Sequence, residues 1–254
     1  MGIIHFGPPV ELITRLLSEV KIVNFVETGT YRGETAAWAS THFKNVFSIE
    51  YSKDFYEQAA ARYAHLSNVE FIYGDSREEL SKLITSLDGL SLFWLDAHWC
   101  GGGGTFGEQD QCPLLGEIEI INQARPESLI FVDDARLFAA PPTQQFDLNQ
   151  WPNISAVIST LSARHPQRYV MITEDVIVAV PEMSRETVMK YGQEANHRAW
   201  VESEGNAKFV NASDFQKGVA LINQDLRARL RYPRRLLGKL FRTVKARPKG
   251  HADA

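Results

Sequence analysis

One short segment constrains the fold more than any other: residues 24–33, which read Asn-Phe-Val-Glu-Thr-Gly-Thr-Tyr-Arg-Gly. The apolar run at residues 20–26 predicts a buried strand, and Glu27 stands at its carboxyl end. Gly29 permits a sharp turn with close backbone approach to a ligand, and Gly33 opens a helix. Because open α/β sheets bind ligands at the carboxyl ends of their strands, we expect a binding site at this turn.

The rest of the chain alternates between apolar strands and helical segments. Strands are predicted at residues 20–26, 45–49, 69–73, 90–95 and 129–132, with helices at residues 8–19, 32–42, 52–64, 77–87 and 113–123. The runs at residues 169–173 and 176–180 are split only by Glu174 and Asp175, which predicts an antiparallel hairpin. These patterns indicate an α/β fold with a doubly wound, mostly parallel sheet and one reversed strand.

Two serines are candidate helix caps. Ser52 precedes the third of these helices, and Ser76 precedes the fourth, with Glu79 three residues later in the spacing of a capping box. The stretch at residues 136–153 contains three prolines and is the most irregular part of the chain.

The glycine spacing disfavours a dinucleotide. The fingerprint G-x-G-x-x-G, read from Gly29, would need glycines at positions now held by Tyr31 and Glu34. The Glu34 carboxylate would also set a negative charge where a pyrophosphate must be held at a helix N-terminus. A strand-to-helix turn that binds no ligand remains an alternative for this segment.

The second predicted strand ends in Glu50. A carboxylate has two oxygens and can accept hydrogen bonds from both vicinal hydroxyls of a ribose, which explains an acid at this strand end in nucleoside-binding sheets. A solvated loop acid is the alternative. The position directly after residues 47–49 and 17 residues beyond Gly33 favours the ribose contact.

An acid followed by glycines two and six positions later resembles motif I of the class I S-adenosylmethionine (SAM)-dependent methyltransferases. The resemblance covers residues 20–180 and implies a seven-stranded Rossmann-like sheet with the N-terminal helix over the cofactor cleft. It implies that Asp75, after the third strand, accepts from the adenine amino group, although Asp75 could equally cap a helix. The cofactor-binding residues that it implies are Glu27, Thr28, Gly29, Gly33, Glu50, Asp75 and Ser76.

Acids also follow the fourth and fifth predicted strands. Asp96 ends one, and Asp133 and Asp134 end the other. Since neighbouring strands lie about 5 Å apart, the three carboxylates should converge, and a divalent cation such as Mg²⁺ would relieve their repulsion. The pattern resembles the metal-dependent O-methyltransferases of the catechol, caffeoyl-CoA and macrocin types, which implies these three acids as metal ligands. Alternatively, the acid pair caps the next segment and Asp96 makes a general polar contact.

His98 departs from that resemblance, because related sequences often carry a histidine three residues after the strand-four acid and here it follows by two. A neutral imidazole suits a general base that removes a hydroxyl proton from the methyl acceptor. A metal ligand or a structural side chain are alternatives. Without His98 as base, Asp96 or a metal-bound hydroxide must take the proton, so both His98 and Asp96 are candidate catalytic residues.

The segment after His98 contains four consecutive glycines at residues 101–104. Such a mobile backbone suggests a lid or acceptor loop, with Trp99 and Phe106 closing over the substrate, or else a simple linker. A zinc site formed by His98, Cys100 and Cys112 is a weaker hypothesis, because the spacing is unfamiliar.

Charge is distributed unevenly along the chain. Residues 225–254 carry ten Lys or Arg against two Asp, a net +8, whereas residues 1–224 carry a net −12. The tail is predicted to be basic and partly disordered, and it either solubilises the protein or attaches to an anionic membrane or an acidic partner. Nucleic acid is disfavoured because the body is acidic.

The predicted organisation has four parts: an N-terminal helical cap at residues 1–19, a methyltransferase domain at 20–180, a helical extension at 181–224 and the tail at 225–254. The chain has two cysteines, no segment with the form of a signal peptide and no apolar run of about 18 residues, so we expect a cytoplasmic protein. It could act alone or as a homo-oligomer.

The function that the resemblance implies is SAM-dependent methylation, with an oxygen of a small molecule or a sugar as acceptor and Mg²⁺ assisting. A metal-independent methyltransferase that uses His98 as base is the first alternative. A SAM- or nucleotide-binding module without catalysis is the second, and a nicotinamide-dependent oxidoreductase is the last.

Overall fold

The structure, a computed structural model, describes residues 7–99, 110–140, 147–163 and 167–202. The chain divides into two compact units, Met1–Asn196 and His197–Ala254. The first unit contains the sheet and the cleft described below. The described part of the second unit, residues 197–202, forms the end of a helix.

Seven strands and eight α-helices follow one another in the described residues. The strands are β1 (Ile22–Thr28), β2 (Asn45–Glu50), β3 (Val69–Tyr73), β4 (Leu90–Leu95), β5 (Leu129–Val132), β6 (Tyr169–Thr173) and β7 (Val176–Val180). The helices are α1 (Val10–Glu19), α2 (Glu34–Ala39), α3 (Lys53–Arg62), α4 (Ser76–Leu83), α5 (Leu114–Ala124), α6 (Ala135–Ala139), α7 (Ile154–Leu161) and α8 (Arg185–Glu202), with a 3₁₀ turn at Glu182–Ser184 before α8.

The strands form one sheet in the order β3-β2-β1-β4-β5-β7-β6. Strands β1 to β5 pair in parallel, and β7 runs antiparallel to both β5 and β6. The predicted α/β fold, with a doubly wound sheet and one reversed strand, is therefore confirmed. The chain changes direction across the sheet between β1 and β4, and a ligand crevice is expected at the carboxyl ends of these two strands.

The hairpin between β6 and β7 turns at the two predicted residues. Glu174 and Asp175 have φ values of 48° and 69°, as a two-residue turn between twisted strands requires. Strand β1 begins and ends two residues later than predicted, so that Glu27 and Thr28 are its last residues.

Two hydrophobic clusters cover the two faces of the sheet, because consecutive strand residues point to opposite sides. On one face, Phe25 and Trp94 pack with residues of α1, α2 and α8. On the other face, their neighbours Val26 and Phe93 pack with residues of α4, α5 and α7. All four side chains are fully buried. The long apolar runs of the sequence thus reflect strands covered on both faces.

Helix α1 differs from its predicted place over the cleft. Its Leu12, Ile13 and Leu16 are fully buried in the sheet-face cluster, and Arg15 forms an ion pair with Glu194 of α8 at 2.8 Å. The apolar side of α1 is used for this packing. In the described part of this segment, Gly7 lines the cleft.

One cap prediction is wrong and one is confirmed. Asp75, rather than Ser76, is the N-cap of α4, and its carboxylate accepts from the Arg77 backbone N–H at 2.9 Å. The Glu79 carboxylate pairs with Lys82 instead of completing a capping box. Ser52 is the N-cap of α3, although its side chain makes no cap hydrogen bond.

The predicted helical extension at residues 181–224 begins with α8. Its remainder and the basic tail at residues 225–254 lie outside the described residues, and their proposed roles stay predictions. Among the helices that the structure describes, none is long and apolar enough to cross a membrane.

Candidate functional site

A cleft of about 500 Å³ lies at the carboxyl ends of β1 to β5. This volume is in the usual range for small-molecule sites. The predicted site residues that line it are Gly29, Glu50, Asp75, Ser76, Asp96, His98, Asp133 and Asp134. Three further candidates do not line the cleft: Glu27, Thr28 and Gly33.

The turn after β1 depends on its two glycines. Gly29 has φ +89°, and a Cβ there would lie 2.4 Å from the Asp96 carbonyl oxygen. Gly33 has φ +75°, and a Cβ would lie 3.0 Å from the Tyr63 ring. The close approach predicted at Gly29 therefore exists, but its partner is the chain at the end of β4, which brings Asp96 against the turn.

Glu27 lies beneath this turn and is almost fully buried. The Ser48 hydroxyl donates to the Glu27 carboxylate at 2.5 Å, and Ser48 also contacts the Thr30 hydroxyl at 2.6 Å. Burial raises the pKa of Glu27 to about 8, although the Ser48 and Thr35 hydroxyls oppose the rise. Glu27 thus ties β1 and β2 together from beneath the turn, and its cofactor-binding role stays a prediction. Thr28 beside it is also buried.

Glu50 lies at the floor of the cleft with 7% of its surface exposed. Its two carboxylate oxygens accept from the backbone N–H groups of Tyr31 and Ser52, both at 2.8 Å. Burial raises the pKa of Glu50 against the effect of these donors. Since a carboxylate oxygen can accept two hydrogen bonds, Glu50 holds the turn and keeps acceptor capacity toward the cleft.

Asp75 is more strongly engaged than predicted. Arg77 donates to both Asp75 oxygens, from Nε at 3.2 Å and from Nη2 at 3.0 Å, and reaches Asp110 from Nη1 at 2.5 Å. The Arg77 hydrogen bonds lower the pKa of Asp75 below its usual value. The helix-cap alternative is therefore what the structure contains, and the implied adenine contact of Asp75 would have to share its oxygens with Arg77.

His98 connects the acids that follow β4 and β5. Its Nε2 lies 3.0 Å from Asp134 Oδ2, and its Nδ1 lies 3.4 Å from Asp96 Oδ1. The ring packs edge-on against Trp151 and Phe138, with centroids 5.5 and 6.5 Å away, and 7% of the side chain is exposed. The imidazole is thus fixed by acids at its edge and aromatic rings at its sides.

The pKa values of Asp133 and Asp134 are shifted in opposite directions although the two residues are neighbours. Burial and the Asp134 charge raise the pKa of Asp133 to about 6. Burial would also raise the pKa of Asp134. The interactions of Asp134 with His98 and Arg136 have the larger effect and lower this pKa. Arg136 Nη1 donates to Asp134 at 2.6 Å and also binds Asp175 at the β6–β7 turn.

The three acids line the same cleft, and the Mg²⁺ site predicted for them stays a prediction. In residues 7–99, 110–140, 147–163 and 167–202, no group of three or more His, Cys, Asp or Glu side chains is placed to hold a metal ion. One of the three, Asp134, contacts His98 and pairs with Arg136.

The residues proposed for zinc and for a lid are only partly described. Cys100, the four glycines and Phe106 lie outside the described residues. Cys112 is buried, which raises the pKa of its thiol to about 12, and the zinc site stays a prediction.

Sequence reasoning missed Arg77, Arg136, Gln111 and Trp151. Both arginines follow a strand-end acid by two residues, which is a signal that could have marked them as charge partners. Trp151 lies in the stretch predicted to be irregular, and its contact with His98 spans more than fifty positions without any periodic signal.

No protein-family model matches this chain, and no curated protein matches it. Several solved structures are similar in fold. A crystal structure from Staphylococcus aureus, provisionally described as a caffeoyl-CoA O-methyltransferase, is 14% identical, covers 70% of this chain and 86% of its own, and has a TM-score of 0.47.

Two further structures were solved with S-adenosylhomocysteine (SAH) bound. The methyltransferase PaMTH1 of Podospora anserina is 17% identical, covers 68% of this chain and 76% of its own, and has a TM-score of 0.45. Human methyltransferase-like protein 13 is 14% identical, covers 75% of this chain and 89% of its own, and has a TM-score of 0.46. At these identities the similarity is one of fold, and residue roles follow from the geometry above.

Proposed function

We propose that this protein is a SAM-dependent methyltransferase. The observation that carries the proposal is the buried carboxylate of Glu50 at the end of β2, beside a glycine turn at the point where the sheet changes direction. A nucleoside with free ribose hydroxyls suits this acceptor.

The charge of the cleft selects among nucleoside ligands. Among the described residues that line it, seven carboxylates face three arginines. The acids are Glu34, Glu50, Asp75, Asp96, Asp110, Asp133 and Asp134, and the cations are Arg32, Arg77 and Arg136. A negatively charged dinucleotide is disfavoured by this excess, whereas SAM carries a sulfonium and an ammonium group and is favoured.

We divide the cleft into a cofactor half, formed by Gly29, Glu50 and Asp75, and an acceptor half, formed by Asp96, His98 and Asp133–Asp134. In the cofactor half, Glu50 would accept from the ribose hydroxyls, and the turn at Gly29 would pass beneath the methionine part. When bound, SAM supplies an electrophilic methyl group.

His98 is the residue best placed to remove a proton from an acceptor hydroxyl. If Nε2 donates to Asp134, Nδ1 is left as the basic nitrogen, on the side of Asp96. Asp134 then orients the imidazole and stabilises its charge after the proton arrives, as the acid does in a nucleophile–His–Asp triad. Asp96 would help to orient the acceptor.

The acceptor that we propose is a hydroxyl of a small molecule or a sugar. Since Asp134 is already paired with Arg136 and contacts His98, no step of this proposal uses a metal ion. The metal-independent alternative considered from the sequence is therefore the one that the geometry favours.

The test is a screen for SAH formation from SAM in the presence of hydroxyl-bearing small molecules and sugars, with and without EDTA. Formation of SAH that depends on one acceptor and is lost in His98→Asn would support the proposal. SAH binding without turnover on any acceptor would instead favour a SAM-binding module, and NAD bound more tightly than SAH would contradict the choice of ligand.

A further inference from the structure

Gln111 is a buried polar residue that the proposed reaction does not use directly. It lies between Asp110 and Cys112, three positions before α5, with 9% of its surface exposed. Its backbone carbonyl accepts from the N–H of Trp99 at 2.9 Å. Because Trp99 follows His98, this bond fixes the chain directly beside the proposed base.

The Gln111 side chain makes a second connection. Its Oε1 accepts from Trp151 Nε1 at 3.1 Å and from the Asp147 backbone N–H at 2.9 Å. Two N–H donors meeting at one atom require an acceptor there, which fixes the orientation of the amide group. The bond to Trp151 is buried, so losing the acceptor would remove an interior hydrogen bond that holds the indole in place.

Trp151 connects Gln111 to the His98 ring through a direct ring contact. The two rings contact each other edge-on at 5.5 Å and 73°, and Trp151 also packs on Phe138 at 5.8 Å. Phe138 contacts the imidazole as well, at 6.5 Å. The aromatic side of His98 therefore depends on Trp151, and the position of Trp151 depends on Gln111.

We propose that Gln111 is a positioning residue for His98, acting on its backbone through Trp99 and on its ring through Trp151. The importance of this role for turnover rests on the proposed function, in which His98 accepts the hydroxyl proton. A base displaced by about 1 Å can lose on the order of a hundredfold in rate, so a second anchor besides Asp134 has a clear purpose. The alternative is that Gln111 only supports residues 147–151.

The test distinguishes a positioning role of Gln111 from a purely structural one by the tautomer that the His98 ring adopts. In Gln111→Met the side chain keeps its length and loses the acceptor, and in Trp151→Phe a ring remains without the N–H donor. Gln111→Glu keeps an acceptor oxygen and serves as the conservative rescue. Gln123→Met is the matched control, since Gln123 is an exposed residue of α5.

The measurement is ¹⁵N NMR of histidine-labelled full-length protein at pH 8.5, with the His98 signals identified by their loss in His98→Asn. We expect wild type and Gln111→Glu to show the Nε2–H form held by Asp134, whereas Gln111→Met and Trp151→Phe populate both ring tautomers. Gln123→Met should resemble wild type, and calorimetric SAH affinity should change less than twofold in every variant.

Unchanged His98 signals in folded Gln111→Met and Trp151→Phe would overturn the proposal and leave Gln111 a structural support. If Gln111→Met fails to fold, Trp151→Phe decides alone, because its buried ring is retained. Absence of SAH binding by wild type would contradict the proposed function without altering the tautomer result, so the two failures are distinguishable.

Discussion

One acid from each half of the cleft, Glu50 and Asp134, is held by a different kind of donor. In the cofactor half, the Glu50 carboxylate accepts from the backbone N–H groups of Tyr31 and Ser52, and no cation is paired with it among the residues that the structure describes. In the acceptor half, Asp134 is bound by His98 and Arg136. A carboxylate held by neutral donors remains able to attract a cationic ligand, whereas a carboxylate paired with an arginine is suited to orienting a neighbouring side chain.

This contrast predicts different consequences for mutations in the two halves. Changes in the acceptor half should affect turnover and spare cofactor affinity, and changes at Glu50 should affect cofactor affinity first. The largest effect is expected when the proposed base is replaced, followed by replacement of Glu50 and then of the buried Glu27. Removal of metal ions should have the smallest effect.

Replacing the proposed base should have the largest effect. We expect His98→Asn to lower methyl transfer to the acceptor found by the screen by about 10²–10⁴-fold, because general-base assistance is lost. Calorimetric SAH affinity should stay within twofold. The exposed histidine variant His65→Asn is the control and should match wild type in both measurements. If His98→Asn lost SAH affinity as strongly as it lost methyl transfer, the two halves of the cleft would not have separate roles.

Glu50→Ala should weaken SAH binding by about 1.5–3 kcal/mol, which is roughly tenfold or more, because a charged acceptor for the ribose hydroxyls is removed. Glu50→Gln keeps the shape and removes the charge, so it isolates the electrostatic part. Isothermal titration calorimetry measures both. The exposed acid variant Asp54→Ala, four residues away, should bind SAH as wild type does. An unchanged dissociation constant in folded Glu50→Ala would remove Glu50 from the site.

Glu27 should make stability depend on pH. Its pKa is raised to about 8 in the folded protein, against about 4.3 for an unperturbed glutamate. Between these values the native state binds a proton that the unfolded state has lost, so the free energy of unfolding falls as pH rises.

We therefore expect Glu27→Gln to flatten this pH dependence between about pH 5 and 8 by an amount on the order of 3 to 4 kcal/mol. Urea denaturation across this range measures it. The variant Glu57→Gln, which changes an exposed acid of α3, provides the reference. Parallel pH profiles for wild type and Glu27→Gln would show that Glu27 is ionised in the folded state.

Chelation should have the smallest effect. Since Asp134 is already paired with His98 and Arg136, we expect exhaustive EDTA treatment to change turnover by less than twofold. Loss of turnover with EDTA, followed by recovery with Mg²⁺, would favour the metal site that the three acids suggested from sequence.

The sequence predicted the sheet well because its signals are local. Strands β3 to β7 occur at their predicted bounds, since each is an apolar run ended by a turn residue or an acid. The acids at the strand ends were also predicted to line one cleft, because parallel strands end at a common edge.

The partners of those acids could not be predicted in the same way. Whether Asp75 caps α4 or faces a ligand depends on Arg77 and Asp110, and the position of Trp151 beside His98 depends on packing between distant segments. The convergence of three acids suggested a metal ion as the compensating charge, whereas the contacts of Asp134 with His98 and Arg136 could not be predicted from the sequence. Such choices depend on side-chain geometry, which carries no periodic signal along the chain.

The central claim, that the cleft binds SAM through an acid lacking a cationic partner, is tested most directly by calorimetric titration of wild-type protein with SAH and with NAD. The account predicts saturable binding of one SAH per chain, with NAD binding at least tenfold more weakly because its diphosphate meets an acidic cleft. Preferential binding of NAD, or no binding of SAH by folded protein, would contradict it.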